Sequence, residues 1–439
     1  MKFLLIGTGA REHAIAWKLS QSTVVDALFV LPGNPGMNNL PNTKLVDDVD
    51  VKSHSAVVQY CRDQSIDIVV VGPEGPLADG IADDLAANNI KCFGPKKEAA
   101  LLESSKAFSK GVLESAGIPT ASYDVARSKT ECESFAKKRF AEDGGVVLKA
   151  SGLAGGKGVF VCSESQQIDD ALELLYENFS EAAETIVVEE LMVGRESSYF
   201  CCLGSGEPVS LGFAVDFKRL EENDQGPNTG GMGCYTPVPW LPEGAKDEVH
   251  SKVVEPLLKE LEKRGITYTG FLYVGLMWTN DGPKVVEFNV RLGDPEAQIL
   301  AISSSLDWGQ LISDKLGVNT SVGSRVDLVS AEATYAVGVV MASESYPYSS
   351  EANSCSIPVN LFDGNDSSQV FAASIKPSSE EDALATGAGR VLTSVGCGSS
   401  FHEARELAYR GVTNISKYWP HARWREDIAK RIIEEKVYE

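Results

Sequence analysis

Glu287 and Asn289 stand two residues apart in the apolar, β-branched run KVVEFNV. A strand alternates its side chains with period two, so this carboxylate and amide share one face. Two oxygen donors at that spacing suit Mg²⁺, which takes one or two carboxylates beside substrate phosphates. Arg291, Asp294 and Glu296 follow at once in RLGDPEAQ and add both signs of charge at the end of the same strand. The bland alternative is a polar strand edge, which the density of charge in that loop disfavours.

A second stretch, KASGLAGGKG, runs from Lys149 to Gly156, Lys157 and Gly158. It is not a Walker A loop, because glycine rather than Ser or Thr follows Lys157 and a strand, VFV, follows in place of a helix. A glycine-rich hairpin tip carrying a lysine can fold over a polyphosphate and exclude water. Lys149, on the preceding strand, would neutralise a further phosphate. The run Val187-Val188-Glu189-Glu190-Leu191, continuing to Glu196, is an apolar strand that stops at paired acids. It has the pattern of a hinge on which an adenine lies, with a carboxylate for the ribose hydroxyls.

Gly7-Thr8-Gly9 follows an apolar run and precedes a helical stretch. The third glycine of a dinucleotide fingerprint would fall at Glu12, and the second strand, ALFVLPGN, ends without the acid that reads a ribose. Nicotinamide and flavin roles are therefore disfavoured. Backbone N–H groups at a helix start still favour a phosphate, and Arg11 and His13 lie beside that turn. Gly226-Pro-Asn-Thr-Gly-Gly-Met-Gly233 reads as a loop that cannot sit inside a helix or strand, and whose backbone must approach something closely. Asp216, Lys218 and Arg219 precede it.

These groups need elements to hold them. KFLLI (2–6), ALFVLPGN (27–34), DIVVVGPE (67–74) and IKCFGP (90–95) are apolar runs bounded by Gly or Pro, with helical stretches between them, as at 11–20. That alternation predicts βαβ units and a parallel sheet whose carboxyl-end loops share one crevice. Residues 104–117 read as a helix stopped by Gly117 and Pro119. From about 120 to 190, VVLK, VFVC and TIVVEEL predict an antiparallel sheet with the helix DDALELLYENF between. Residues 198–325 mix strands such as YFCCLG with a helix over 246–264, and the last hundred residues read as a smaller α/β unit.

Composition closes off other classes. The 439 residues imply about three domains. A hydrophobic fraction of 43% and a charged fraction of 23% are ordinary for a globular chain. The net charge of −22 repels the phosphates of nucleic acid and of anionic lipid, so neither nucleic acid nor a membrane is the expected partner. No run reaches the roughly 18 apolar residues of a membrane span. The nine cysteines show no C-x-x-C spacing, which argues against a disulfide framework and structural zinc. The five histidines are scattered and form no H-E-x-x-H motif, so zinc hydrolysis has no support. The opening MKFLLI reads as a first strand rather than a leader, and the expected location is cytoplasmic.

From residue 7 to residue 298 the chain carries, in order, GTGAREHA, LPGNPG, VVVGPEGPLADGI, FGP, SKAFSK, GIPTA, VVLKASGLAGGKGV, VVEEL, DFKR, GPNTGGMG, GFLYVGLM and VVEFNVRLGDPEAQ. With these it resembles the glycinamide ribonucleotide synthetase (phosphoribosylamine–glycine ligase) family of ATP-grasp enzymes. GPNTGGMG and EFNVRLGDPE are the most specific stretches, and GRVL, EAR and WREDI extend the likeness toward the carboxyl end. The resemblance implies an α/β fold of three domains: Rossmann-like at 1–103, ATP-grasp at 104–325 with a lid at about 120–190, and a C-terminal domain at 326–439. It implies that ATP, with Mg²⁺ (or Mn²⁺), activates glycine as an acyl phosphate, which the amine of 5-phosphoribosylamine then attacks, in purine biosynthesis.

The same resemblance assigns residues. Lys106, Lys149, Gly156, Lys157 and Gly158 would hold phosphates; Glu189, Glu190, Leu191 and Glu196 the nucleoside; and Glu287 and Asn289 the metal. Arg291 would take the amino-acid carboxylate, its fork matching that group, with Asp294, Lys218 and Asp216 as further catalytic residues. Gly9, Arg11, Glu12, His13, Asn34, Glu74, Asn228, Thr229 and Gly230 would face the amine substrate. The sequence departs from the family at Ala10, Ser151, Gly155, Val215, Phe217, Ala297, 343–347 and 371–375, mostly on the substrate side. A related ATP-grasp carboxylate–amine ligase with another acid or amine therefore stays open as the alternative. The chain is expected to act as a monomer or a dimer.

Overall fold

The apolar runs bounded by glycine or proline form one parallel sheet, ordered Thr43–Leu45, Ala27–Pro32, Lys2–Gly7, Ile68–Val71 and Lys91–Phe93. The structure is a computed structural model and describes residues 1–155, 158–179, 182–318, 334–349, 351, 353–364 and 367–435. The lysine and glycine expected at 157 and 156 therefore lie outside the described residues. A parallel sheet is covered on both faces, which is why its strands read as unbroken apolar runs. Leu4, Ile6, Val69 and Val71 enter one core, whereas Phe3, Leu5, Ile68 and Val70 enter another. The edge strand Thr43–Leu45 escapes the sequence reading because TKL carries no such run.

The helix expected over 104–117 is two helices, Lys97–Ser104 and Lys106–Ser115. Between them Ser105 is extended, and its hydroxyl accepts the Phe108 N–H at 3.3 Å. This cap starts the second helix at Lys106.

The 120–190 region holds the expected antiparallel sheet, ordered Tyr123–Ala126, Ile186–Glu190, Val146–Ala150 and Val159–Cys162. Two helices, Lys129–Asp143 and Gln166–Asn178, contribute to its core. The first of them is not legible in the sequence: of its fifteen residues only Cys132 and Ala136 are fully buried, too few for an apolar stripe.

Eight further strands join into one antiparallel sheet. Its order is Gly282–Asn289, Gly270–Thr279, Arg195–Leu203, Val209–Asp216, Gly233–Thr236, Tyr335–Ala342, Arg390–Gly398 and Ser368–Ala372. The hydrogen-bonded ladder thus passes without interruption from the strand bearing Glu287 into the last hundred residues. One sequence expectation is corrected here. Part of GPNTGGMG is strand: Gln225–Asn228 pairs with Arg219–Glu221, and Gly233 opens the next strand. A register shift beside Leu220 and the positive φ of Gly226 let that short ladder form despite the turn-forming residues.

Candidate active site

The helix Lys106–Ser115, the strands Val146–Ala150 and Ile186–Glu190, and the strand Gly282–Asn289 close on a cavity of about 120 Å³. Lys106, Lys110, Lys149, Glu189, Glu287 and Asn289 line it, with Gly158 at its glycine-rich rim. Period two puts Glu287 and Asn289 on one face as expected, and the Asn289 amide donates to Glu287 Oε1 at 3.3 Å. Burial alone would raise the Glu287 pKa, but Lys149, Lys106 and Lys218 together hold it below the usual carboxylate value. A half-buried, ionised carboxylate beside a neutral amide oxygen is a donor set for a hard divalent cation. The Lys106 ammonium is in no ion pair among the described residues, and burial lowers its pKa. Lys149 donates to the Val286 carbonyl at 3.3 Å and pairs with Glu189 at 2.9 Å.

Glu190 closes its strand at the cavity's outer edge. Its carboxylate accepts from Ser122 Oγ at 3.1 Å and from Lys284 at 3.4 Å. Leu191 follows in an irregular segment, and Glu196 is the second residue of the next strand, Arg195–Leu203, where it pairs with Lys218 at 2.7 Å. Lys218 also lies 3.4 Å from Asp216. Residues assigned separately to the nucleoside and to catalysis are therefore one charged chain. Burial raises the pKa of Asp216, and it pushes that of Glu296 up to about 8, with Asp216 adding to the effect.

Arg291 sits between the cavity and the first sheet. Its Nε donates to Glu74 at 3.2 Å and its Nη2 to Asn289 Oδ1 at 3.3 Å, and Nη2 is ion-paired with Glu103 at 2.8 Å. Nη1 donates to the Leu292 carbonyl at 3.2 Å, which leaves one Nη1 hydrogen for an anion among the described residues. Burial favours protonation of Glu103, whereas Arg291 and Arg11 outweigh burial at Glu74 and lower its pKa.

At the amino-terminal turn the side chains point inward. The Gly9 N–H donates to Glu12 Oε2 at 2.8 Å, and Arg11 Nε donates to Glu12 Oε1 at 2.5 Å. A Cβ on Gly7, whose φ is +139°, would lie 2.2 Å from Glu12 Cγ, so the turn is built around this buried carboxylate. Asn34 is equally committed: its amide donates to the Thr8 and Ala372 carbonyls at 2.7 and 2.8 Å, and its oxygen accepts from Gly36. His13 is fully buried and accepts the Ala372 N–H at 2.9 Å. Of this group Glu74 lines the cavity; Gly9, Arg11, Glu12, His13 and Asn34 form the structure behind it.

The loop that carries Gly230 is clamped from the far end of the chain. Arg390 donates to the carbonyls of Gly230 at 2.7 Å and Asp294 at 2.5 Å, and to the Asp294 carboxylate at 2.9 Å. Gln298 takes the other Asp294 oxygen at 2.7 Å. Tyr346 Oη accepts the Gly230 N–H at 3.1 Å. Thr229 turns back to the Lys218 carbonyl at 2.8 Å, and Asn228 lies in register with Arg219. The departures have local partners: Ser151 Oγ accepts the Ala107 N–H at 3.0 Å, and the Phe217 ring lies 4.9 Å from the buried guanidinium of Arg425.

Lys110, Glu103, Arg390 and Tyr346 are site residues that the sequence reading missed. Lys110 had a signal, since it stands one helical turn after Lys106 in SKAFSK. The others had none, because their partners are far away in the chain. Among the described residues no group of three or more His, Cys, Asp or Glu side chains is placed to hold a metal, and no helix is long and apolar enough to cross a membrane.

Comparison with known proteins adds to this geometry. Three family models match in sequence: phosphoribosylglycinamide synthetase, N domain, over 1–103; its ATP-grasp (A) domain over 104–297; and its C domain over 336–431. A phosphoribosylamine–glycine ligase of Brucella melitensis is 37% identical over 438 residues, covering 99% of each chain. A trifunctional purine biosynthetic protein adenosine-3 of Gallus gallus is 40% identical over 98% of this chain, which spans 42% of that protein. A crystal structure of the Thermotoga maritima phosphoribosylamine–glycine ligase superposes with a TM-score of 0.79 at 27% identity, covering 97% of this chain and 100% of that one.

Proposed function

The chain belongs to the phosphoribosylglycinamide synthetase family, and from that premise we propose that it joins glycine to 5-phosphoribosylamine at the expense of ATP, giving glycinamide ribonucleotide, ADP and phosphate. It is an ATP-grasp carbon–nitrogen ligase of purine biosynthesis. The observation that carries the reading is the Glu287–Asn289 pair lining one cavity with Lys106 and Lys149.

Phosphoryl transfer asks a protein for positioning and charge neutralisation more than for covalent chemistry. Lys106 and Lys149, which line the cavity with Gly158, meet the phosphates. Glu190, Leu191 and Glu196 border the nucleoside. Glu287 and Asn289 would hold Mg²⁺, which when bound neutralises charge on the β- and γ-phosphates. The spare Nη1 hydrogen of Arg291 orients the glycine carboxylate, and Glu74 and Glu103 fix the guanidinium plane. A glycine carboxylate oxygen attacks the γ-phosphorus; the bond to the β–γ bridging oxygen breaks, releasing ADP and leaving glycyl phosphate. The phosphoribosylamine nitrogen then attacks the glycyl carbonyl carbon, phosphate leaves, and the nitrogen gives up a proton. Asp216, Lys218 and Asp294 border this second step, with Asn228, Thr229 and Gly230 shaping the wall. Gly9, Arg11, Glu12, His13 and Asn34 set the position of the first-sheet turn on which the ribose phosphate rests.

The test is ADP release from Mg²⁺-ATP and glycine, with and without phosphoribosylamine formed in place from ribose 5-phosphate and ammonia. A rise only in the complete mixture supports the proposal. ADP release indifferent to phosphoribosylamine overturns it, and would favour a related ligase with another acceptor.

A further inference from the structure

Lys110 is buried at the cavity beside Lys149 and Glu189, yet the mechanism above gives it no part. Its ammonium donates to Thr120 Oγ1 at 2.7 Å and to the Ala121 carbonyl at 3.3 Å, and lies 3.3 Å from Glu189 Oε1. Thr120 is itself fixed, donating to the Val285 carbonyl at 2.6 Å. The other Glu189 oxygen, Oε2, belongs to Lys149 at 2.9 Å. One buried carboxylate is thus shared by two ammonium groups, one on each oxygen, and all three side chains are under 5% exposed. The two lysines differ in what else holds them. Lys110 is tied to the wall behind the cavity by Thr120 and Ala121. Lys149 has one further bond, to the Val286 carbonyl, in the strand that carries Glu287.

The charge balance follows. Lys149 and Glu189 alone are a neutral pair, and a buried pair of that kind holds its members tightly because neither finds water. Adding Lys110 makes the cluster a net cation. We propose that Lys110 is a positioning residue that cancels Glu189 from behind, so that the charge of Lys149 is available to the phosphates of ATP. This rests on the reading of the cavity as the ATP site. Lys110 itself stays on the wall and touches no substrate. Glu189, by this account, aims Lys149 without neutralising it.

The inference makes a signed prediction. Removing the Lys110 charge leaves Lys149 locked on Glu189 and weakens ATP binding; removing the Glu189 charge as well unlocks it. Lys110→Gln keeps a hydrogen-bonding group for Thr120 and raises the KM for ATP by about tenfold, with kcat at saturating ATP changed by less than about threefold. The double variant Lys110→Gln/Glu189→Gln regains most of that loss, and Lys110→Arg keeps near-native affinity. Calorimetric titration with Mg²⁺-ATP gives the same order without turnover, and a urea melt of each variant shows that the fold is intact. If Lys110→Gln does not fold, Lys110→Arg and the double variant carry the comparison. ATP affinity unchanged in a folded Lys110→Gln protein, or a double variant binding no better than the single one, overturns the proposal. Wild-type protein that fails to bind ATP overturns the reading of the cavity instead.

Discussion

Replacing His13 with glutamine removes one titratable group from the seam between the first sheet and the strand Ser368–Ala372. The imidazole is fully buried, edge-on to Phe371 with ring centroids 5.4 Å apart. Because Nδ1 accepts the Ala372 N–H, the proton of the neutral ring sits on Nε2, which meets no hydrogen-bond partner among the described residues. Burial lowers its pKa from 6.5 to about 3. Below pH 6.5 the unfolded chain therefore takes up a proton that the folded chain refuses until about pH 3. The contribution of His13 to stability is whole above pH 6.5 and is lost as the pH falls through that window. By about pH 5 the loss amounts to about 2 kcal/mol, and any folded pKa below about 4 gives the same figure. Glutamine does not titrate, and its oxygen can still accept from Ala372. Urea unfolding at about pH 8 and about pH 5 should show the wild type losing about 2 kcal/mol more than His13→Gln. Carboxylates that titrate in both proteins cancel in that difference. Equal losses would refute the reasoning, because they would mean that the imidazole is protonated in the folded protein or reaches water.

Three further outcomes are expected from the site. Glu287→Gln should cut turnover by at least about a hundredfold with the urea midpoint unchanged, since it removes the ionised donor that three lysines hold in place; retained turnover would move the metal elsewhere. Arg390→Met should raise the KM for glycine or phosphoribosylamine by about tenfold and leave the KM for ATP alone, because Arg390 holds Gly230 and Asp294 but no residue of the phosphate cavity; steady-state kinetics with each substrate varied in turn checks it. Gly231→Ala should destabilise the protein by about 1–3 kcal/mol in a thermal or urea melt, because φ there is +112° and the added Cβ would lie 2.7 Å from Pro295 Cδ.

The parts of this molecule legible in the sequence are those whose signal lies within a few residues. Glu287 and Asn289 declare a shared face through the apolar alternation of one strand, and the first sheet shows itself through runs bounded by glycine and proline. Lys149 is legible because a strand precedes it and a glycine-rich stretch follows. What resists reading is pairing across the chain. Glu189 reads as one of two hinge acids, and nothing near it says that Lys110 and Lys149 will take its two oxygens. Asp294 reads as a free carboxylate in a charged loop; the structure gives one oxygen to Arg390, on a strand almost a hundred residues later, and the other to Gln298. The helix Lys129–Asp143 fails for a different reason, since it packs through so few buried residues that no stripe forms.

At the amino-terminal turn, residues with the spacing of a phosphate site are also bonded to one another. Gly9, Arg11, Glu12 and His13 have the composition of a phosphate site at a helix start. Yet the Gly9 N–H is capped by Glu12, Arg11 spends its Nε on the same carboxylate, and His13 holds the backbone of Ala372. A helix start attracts an anion whatever its source, and here a side chain three residues on supplies one to the Gly9 N–H. The same Glu12 side chain lies against Gly7 and Gly72, where a Cβ would come within 2.2 and 2.4 Å of it. The glycines are thus required by Glu12 as much as by a substrate. Asn34 and His13 then tie this turn to Ala372, and the strand carrying Ala372 shares its sheet with Glu287. Substitutions at 371–375 therefore change the bed on which the amino-terminal turn rests.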